Sequence, residues 1–164
     1  MALTILIRGQ LNSIPVLSDA CFTKSNYGVN TNSTLSVNTP RGVLGGSVAG
    51  CSPGLDYTAV PCTDNLAPLG LFVNDAAGAA FENSPAVASG KVAIIKGQAS
   101  VEVDVYETRN AAGAADLVYA VGNSLYCSAQ GLLSNEVSTE GTVIGLLTKA
   151  PSVSSPTIGL DERI

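Results

Sequence analysis

Apolar and polar residues alternate most cleanly over residues 100–107, with Val101, Val103 and Val105 on one side and Glu102, Asp104 and Tyr106 on the other. Successive side chains of a strand point to opposite faces, so this spacing predicts a strand whose three valines are core. Just before it, residues 91–96 predict a second strand, and Gly97 with Gln98 supplies the turn that makes the two a hairpin. Further strands are expected at 69–73, 117–121, 125–127 and 142–148, separated by turn signals such as Asn74-Asp75, Gly90, Gly122-Asn123, Gln130-Gly131 and Glu140-Gly141. Helical patterning is nearly missing. The Ala-rich pieces at 75–80 and 110–116 are short and carry Gly at their centres, which leaves them too short to be stable helices. Short strands at close spacing predict an all-β fold, a small antiparallel barrel or sandwich, and argue against βαβ units.

The pattern weakens toward the N-terminus. Residues 1–66 are rich in Asn, Ser, Thr, Pro and Gly, with strand-like pieces only at 3–7, 43–44 and 57–60. They read either as loops over the same barrel or as an arm that adds a strand to a neighbour's sheet edge. Residues 67–150 are expected to be the β-body, and 151–164 a short tail that begins with a Pro/Ser stretch and ends apolar.

Composition narrows the chemistry. With 164 residues the chain is long enough for one domain with its own core, and 46% hydrophobic residues exclude intrinsic disorder. Charged residues are 13%, against roughly 25% in soluble domains, so Ser, Thr, Asn, Gly and Ala must build much of the surface. Histidine is absent, which removes Ser-His-Asp, Cys-His and His-ligated metal chemistry. The net charge is −5 and the eight basic residues are scattered, so no patch for nucleic-acid phosphates is visible. The apolar start, broken by Arg8, lacks the charged lead and length of a signal peptide, and no run reaches the length of a membrane span. A soluble chain made in a cytoplasm, with no nucleic-acid or membrane partner, is the expectation.

That compartment keeps thiols reduced, so Cys21, Cys51, Cys62 and Cys127 are expected as free, buried, small apolar residues. The alternative is a Cys51–Cys62 bridge formed after release to an oxidising medium. Ser47 sits in a Gly-rich stretch that invites a nucleophile-elbow reading, but the pattern is incomplete and no His exists to act as base. Ser89 with Lys91 lies at a hairpin entrance, and Pro85 and Val92 break any phosphate loop. Glu102 and Asp104 read as a solvated acidic face rather than a metal site. No catalytic residue, metal or cofactor is expected.

Two stretches carry a resemblance. Residues 66–92, Leu-Ala-Pro-Leu-Gly-Leu-Phe-Val-Asn-Asp-Ala-Ala-Gly-Ala-Ala-Phe onward, are similar to structural proteins of tailed-phage virions. The spaced set Tyr119, Gly122, Leu125-Tyr126, Gly131, Gly141-Thr142 and Ile144-Gly145 resembles the glycine and aromatic pattern of small β-rich capsid decoration, or cement, proteins. The ending from Ile158 to Ile164 also resembles the close of such virion proteins. The resemblance covers residues 66–164. It implies a non-enzymatic protein on the capsid surface, a homotrimer that bridges subunits of the major capsid protein. On that reading Leu3, Ile5 and Ile7 form an edge strand that pairs with a neighbouring chain, and Leu160 with Ile164 forms a docking tail. A tail-tube or other tail component is the nearest alternative, and an extracellular adhesin-like β protein an alternative from another class.

Overall fold

Strand-forming residues broken every few positions by Gly, Asn or Ser leave little room for a helix to propagate, and none occurs among the described residues. The structure is a computed structural model that describes residues 3–8, 12–18, 44–51, 58–73, 91–97 and 99–164. Eleven strands lie within them: β1 (Leu3–Arg8), β2 (Asn12–Ser18), β3 (Val48–Cys51), β4 (Thr58–Pro61), β5 (Pro68–Phe72), β6 (Lys91–Lys96), β7 (Ala99–Val103), β8 (Ser124–Cys127), β9 (Leu133–Ser134), β10 (Gly145–Lys149) and β11 (Ile158–Glu162). Six form one sheet in the order β1-β7-β11-β10-β8-β9, and five close into a barrel in the order β2-β4-β3-β5-β6. Pairing is antiparallel except between β2 and β4. The fold is all-β, as the patterning predicts.

The valine alternation is realised: Val101, Val103 and Val105 are all fully buried, although β7 ends at Val103. The hairpin is not. β6 pairs with β2 and β5 in the barrel, whereas β7 pairs with β1 and β11 in the sheet. Both edges of each strand are thereby filled by distant segments, and non-local pairing overrides the local turn signal. Gly97 instead links the barrel to the sheet, its amide donating to the Ile164 carbonyl.

Two other expected strands differ. Residues 117–121 are irregular, because side-chain amides take over the backbone: Asn123 Oδ1 accepts from Ala120 N at 2.8 Å, and Asn135 Nδ2 donates to Val118 O at 2.8 Å. Leu44 precedes a turn rather than forming a strand, and β3 begins only at Val48. The Ala-rich 110–116 stretch is a turn, held by Asn110 Oδ1, which accepts from Ala114 N and Ala115 N at 2.8 and 3.2 Å. The 75–80 piece, Asn74, Ser89 and Cys21 lie outside the described residues.

Barrel and sheet share a core. Val48, Leu71 and Ile95 of the barrel pack in the same cluster as Val101, Leu125, Leu147 and Leu160 of the sheet. The expected division at 66/67 therefore falls inside the barrel, where β4 and β5 both pair with β3. Nor is 151–164 a separate tail, since β11 lies between β7 and β10 with partners on both edges. Close approach fixes one glycine: Gly70 has φ of +152°, and a Cβ there would run into the Ile95 carbonyl of the paired β6.

Candidate functional site

Three features of the described residues could carry function: a polar cleft, an open sheet edge and a set of exposed valines. The cleft, of about 380 Å³, opens between the loop after Val105, the turn after β8 and residues 134–139. Asp64, Glu107, Glu136 and Arg109 supply its charge, and Cys127 and Ser128 lie on its wall.

Each polar group there has a structural task. Ser128 Oγ donates to Glu107 Oε1 at 2.7 Å and accepts from Gln130 N and Leu132 N at 3.1 and 3.2 Å. Glu136 Oε2 accepts from Ala111 N at 2.8 Å, and Asp64 Oδ2 accepts from Thr139 Oγ1 at 3.0 Å. Arg109 lies 3.5 Å from Asp116, an exposed pair worth little to stability. Tyr119 donates to Glu107 O at 2.6 Å and meets Tyr106 edge-on, with centroids 5.5 Å apart. Burial pushes the Tyr119 phenol far above its ordinary range. These bonds tie three loops together, and no group of His, Cys, Asp and Glu among the described residues is arranged to hold a metal ion.

Ser47, the elbow candidate, is fully buried, and its Oγ donates to Leu44 O at 2.7 Å as part of a turn. Its hydroxyl is not presented to any substrate.

The interaction candidates divide. Leu3 packs half-buried against the core, and Ile5 and Ile7 belong to β1, which pairs with β7 through Ile5↔Val101 and Ile7↔Ser100 across a register shift. β1 is the outermost strand of the sheet, so its far edge is open among the described residues. Leu160 is fully buried in β11, and Ile164 packs against the same core. The docking-tail expectation is corrected for Leu160: its side chain is spent on the chain's own core, because β11 is an interior strand.

Three features escape sequence reasoning. Val118, Val121, Val137 and Val153 are exposed, Val118 at 82% and Val153 at 106%. Glu162 is 1% exposed, with neither carboxylate oxygen hydrogen-bonded among the described residues. Its signal was the spacing of Ile158, Leu160 and Glu162 on one strand face. Cys62 and Cys127 are buried in one core cluster, the Cys62 thiol donating to the Thr63 and Leu66 carbonyls at 3.4 and 3.5 Å and the Cys127 thiol to the Ser128 carbonyl at 3.3 Å, whereas Cys51 is exposed. The alternative Cys51–Cys62 bridge is not formed, and burial is corrected for Cys51, which ends β3 at the surface. No sequence spacing announces a pair brought together by tertiary packing.

Comparison with protein-family models, with curated proteins and with solved structures finds no significant match to this chain.

Proposed function

We propose that this chain is a non-enzymatic virion structural protein that binds the outside of a tailed-phage capsid and bridges neighbouring subunits of the major capsid protein. The observation that carries the reading is the outer edge of β1, which is open among the described residues. An unpaired strand edge offers a row of amides and carbonyls to another chain, and proteins that stay monomeric usually cover or blunt such an edge. The exposed valines at 118, 121, 137 and 153 add apolar contact surface on the loops that carry them. The glycine and aromatic spacing from Tyr119 to Gly145 points the same way, by resemblance.

Bridging needs only modest contacts per copy, because a symmetric trimer multiplies them. The test is quantitative mass spectrometry of gradient-purified particles, read as copies of this chain per copy of the most abundant shell protein. A ratio near one supports decoration. A ratio of a few per cent overturns it in favour of a tail component, and absence from particles removes the virion reading altogether.

A further inference from the structure

Barrel and sheet are joined in sequence by a short link. β6 of the barrel ends at Lys96, β7 of the sheet begins at Ala99, and Gly97 between them has φ of +91°, a conformation glycine adopts without strain. The end of β11 is bonded to that link: Gly97 N donates to Ile164 O, while Arg163 N donates to Ile144 O at 2.8 Å. Glu162 immediately precedes both, and its register partners are Ala99 at the start of β7 and Gly145 at the start of β10. Its carboxyl is 1% exposed and unpartnered among the described residues, a situation tolerable only for the neutral acid. Few charges stand near it. Lys96, half-buried at the end of β6, acts on it less than burial does, and Arg8 of β1 occupies the same register row one strand beyond Ala99. The charged residues of the adjoining strands belong to the other face, where Glu102 of β7 pairs with Lys149 of β10 at 2.8 Å and Asp161 of β11 accepts from Ser100 Oγ. Arg163 is exposed.

We propose that Glu162 is a pH-operated latch on the hinge at Gly97: the protonated acid keeps the end of β11 bonded to the link between barrel and sheet, and its ionisation opens that end. An ionised carboxylate needs water, and water enters at least cost where the fewest contacts must break. The centre of β11 is the costly place, with Ile158 and Leu160 fully buried and a partner strand on each edge. Beyond Leu160 the strand gives way more easily, through the bond from Gly97 N to Ile164 O and that from Arg163 N to Ile144 O. Opening therefore frees residues 162–164 from the link and leaves Ile158 and Leu160 in the core. Burial pushes the Glu162 carboxyl up to about 8, and in the opened end the hydrated group returns to its ordinary 4.5. The closed form, having the raised pKa, is the one that keeps the proton. Opening is thus least favourable below pH 4.5 and grows about tenfold per pH unit until about pH 8. Nothing in the latch depends on the proposed capsid role.

Amide hydrogen exchange of the full-length chain, resolved by residue in NMR spectra between pH 5 and 8 and divided by the intrinsic rate at each pH, tests it. The amides of Gly97 and Arg163 are expected to lose protection about tenfold per pH unit. At every pH they should be less protected than those of Cys62 and Phe72, which donate to Val48 O and Ser47 O. Glu162→Gln keeps the shape of the protonated acid and should flatten the pH dependence at Gly97 and Arg163. Protection at those two amides that does not change with pH overturns the proposal, as does the same loss in the Gln variant. Equal protection of the two pairs of amides also overturns it, because the whole protein and not the end of β11 would then be opening. Should the variant not fold, the first and third of these results, both read on the parent chain, still decide.

Discussion

Glu162 should make the protein less stable as pH rises through neutrality. The residue is 1% exposed, lies on the same face of β11 as the fully buried Leu160, and neither of its carboxylate oxygens has a hydrogen-bond partner among the described residues. Burial pushes its carboxyl up to about 8 from an ordinary 4.5, with Lys96 pulling weakly the other way. Because the folded pKa is raised, the folded protein keeps a proton that the unfolded chain has released. The associated stability is fully present below pH 4.5 and is lost as pH climbs toward about 8. At about 1.4 kcal/mol per unit of separation the whole window amounts to roughly 5 kcal/mol, of which about 3 is gone by pH 7. Glu162→Gln keeps the shape of the protonated acid and cannot titrate. Urea unfolding of both proteins at several pH values between 5 and 9, at fixed ionic strength, isolates Glu162, because every other titrating group cancels in the difference. The variant should match the parent near pH 5 and exceed it by a few kcal/mol at pH 8. Parallel curves over that range would refute the reasoning and mean that water or a cation satisfies the carboxylate.

Val103→Asp places an unpaired charge at the fully buried end of β7 and should cost more than about 4 kcal/mol, read as loss of the cooperative unfolding transition. Gly70→Ala should destabilise far more than Gly122→Ala: both glycines have positive φ, but a Cβ at Gly70 collides with the Ile95 carbonyl whereas at Gly122 it meets nothing within 4 Å. Backbone strain alone should leave the Gly122 variant within about 1 kcal/mol of the parent in denaturant titrations. Tyr119→Phe removes the buried hydrogen bond to the Glu107 carbonyl and should cost about 1–2 kcal/mol of unfolding free energy with the sheet otherwise intact, checked by calorimetry.

What could be read from sequence was what depends on neighbours along the chain. The alternation of Val101, Val103 and Val105 announced a buried face, and the glycines at 122, 131 and 141 announced turns; all three have positive φ. What failed depended on partners far away. Lys91–Lys96 and Ala99–Val103 have the spacing of a hairpin, yet each finds both of its edges occupied by strands from elsewhere. The apolar ending from Ile158 looked like a free tail because its partners, β7 and β10, are spread over the chain before it. The cleft was illegible for a similar reason, since Asp64 reaches Thr139 and Glu136 reaches the amide of Ala111 only after the sheet has formed. Sequence does show which thiols exist, but that Cys62 and Cys127 enter one core cluster is a property of the assembled halves.

Strand order also decides which end of the chain is free to grip a neighbour. The two terminal strands, β1 and β11, both pair with β7, so the sheet cannot be completed until segments about a whole chain apart have met. They are not held equally. β11 has a partner on each edge and buries Ile158 and Leu160 completely, so releasing it would break two ladders and open the core. β1 has one partner among the described residues, β7, and a register shift between Ile5 and Ile7 interrupts that ladder, while Leu3 packs against the core. Sharing β1 therefore disturbs at most one ladder, and its outer edge, open among the described residues, is where a further strand can add. Of the two ends expected to reach a neighbouring subunit, the physics of the sheet favours the N-terminal one, and it does so without needing β11 to leave its place.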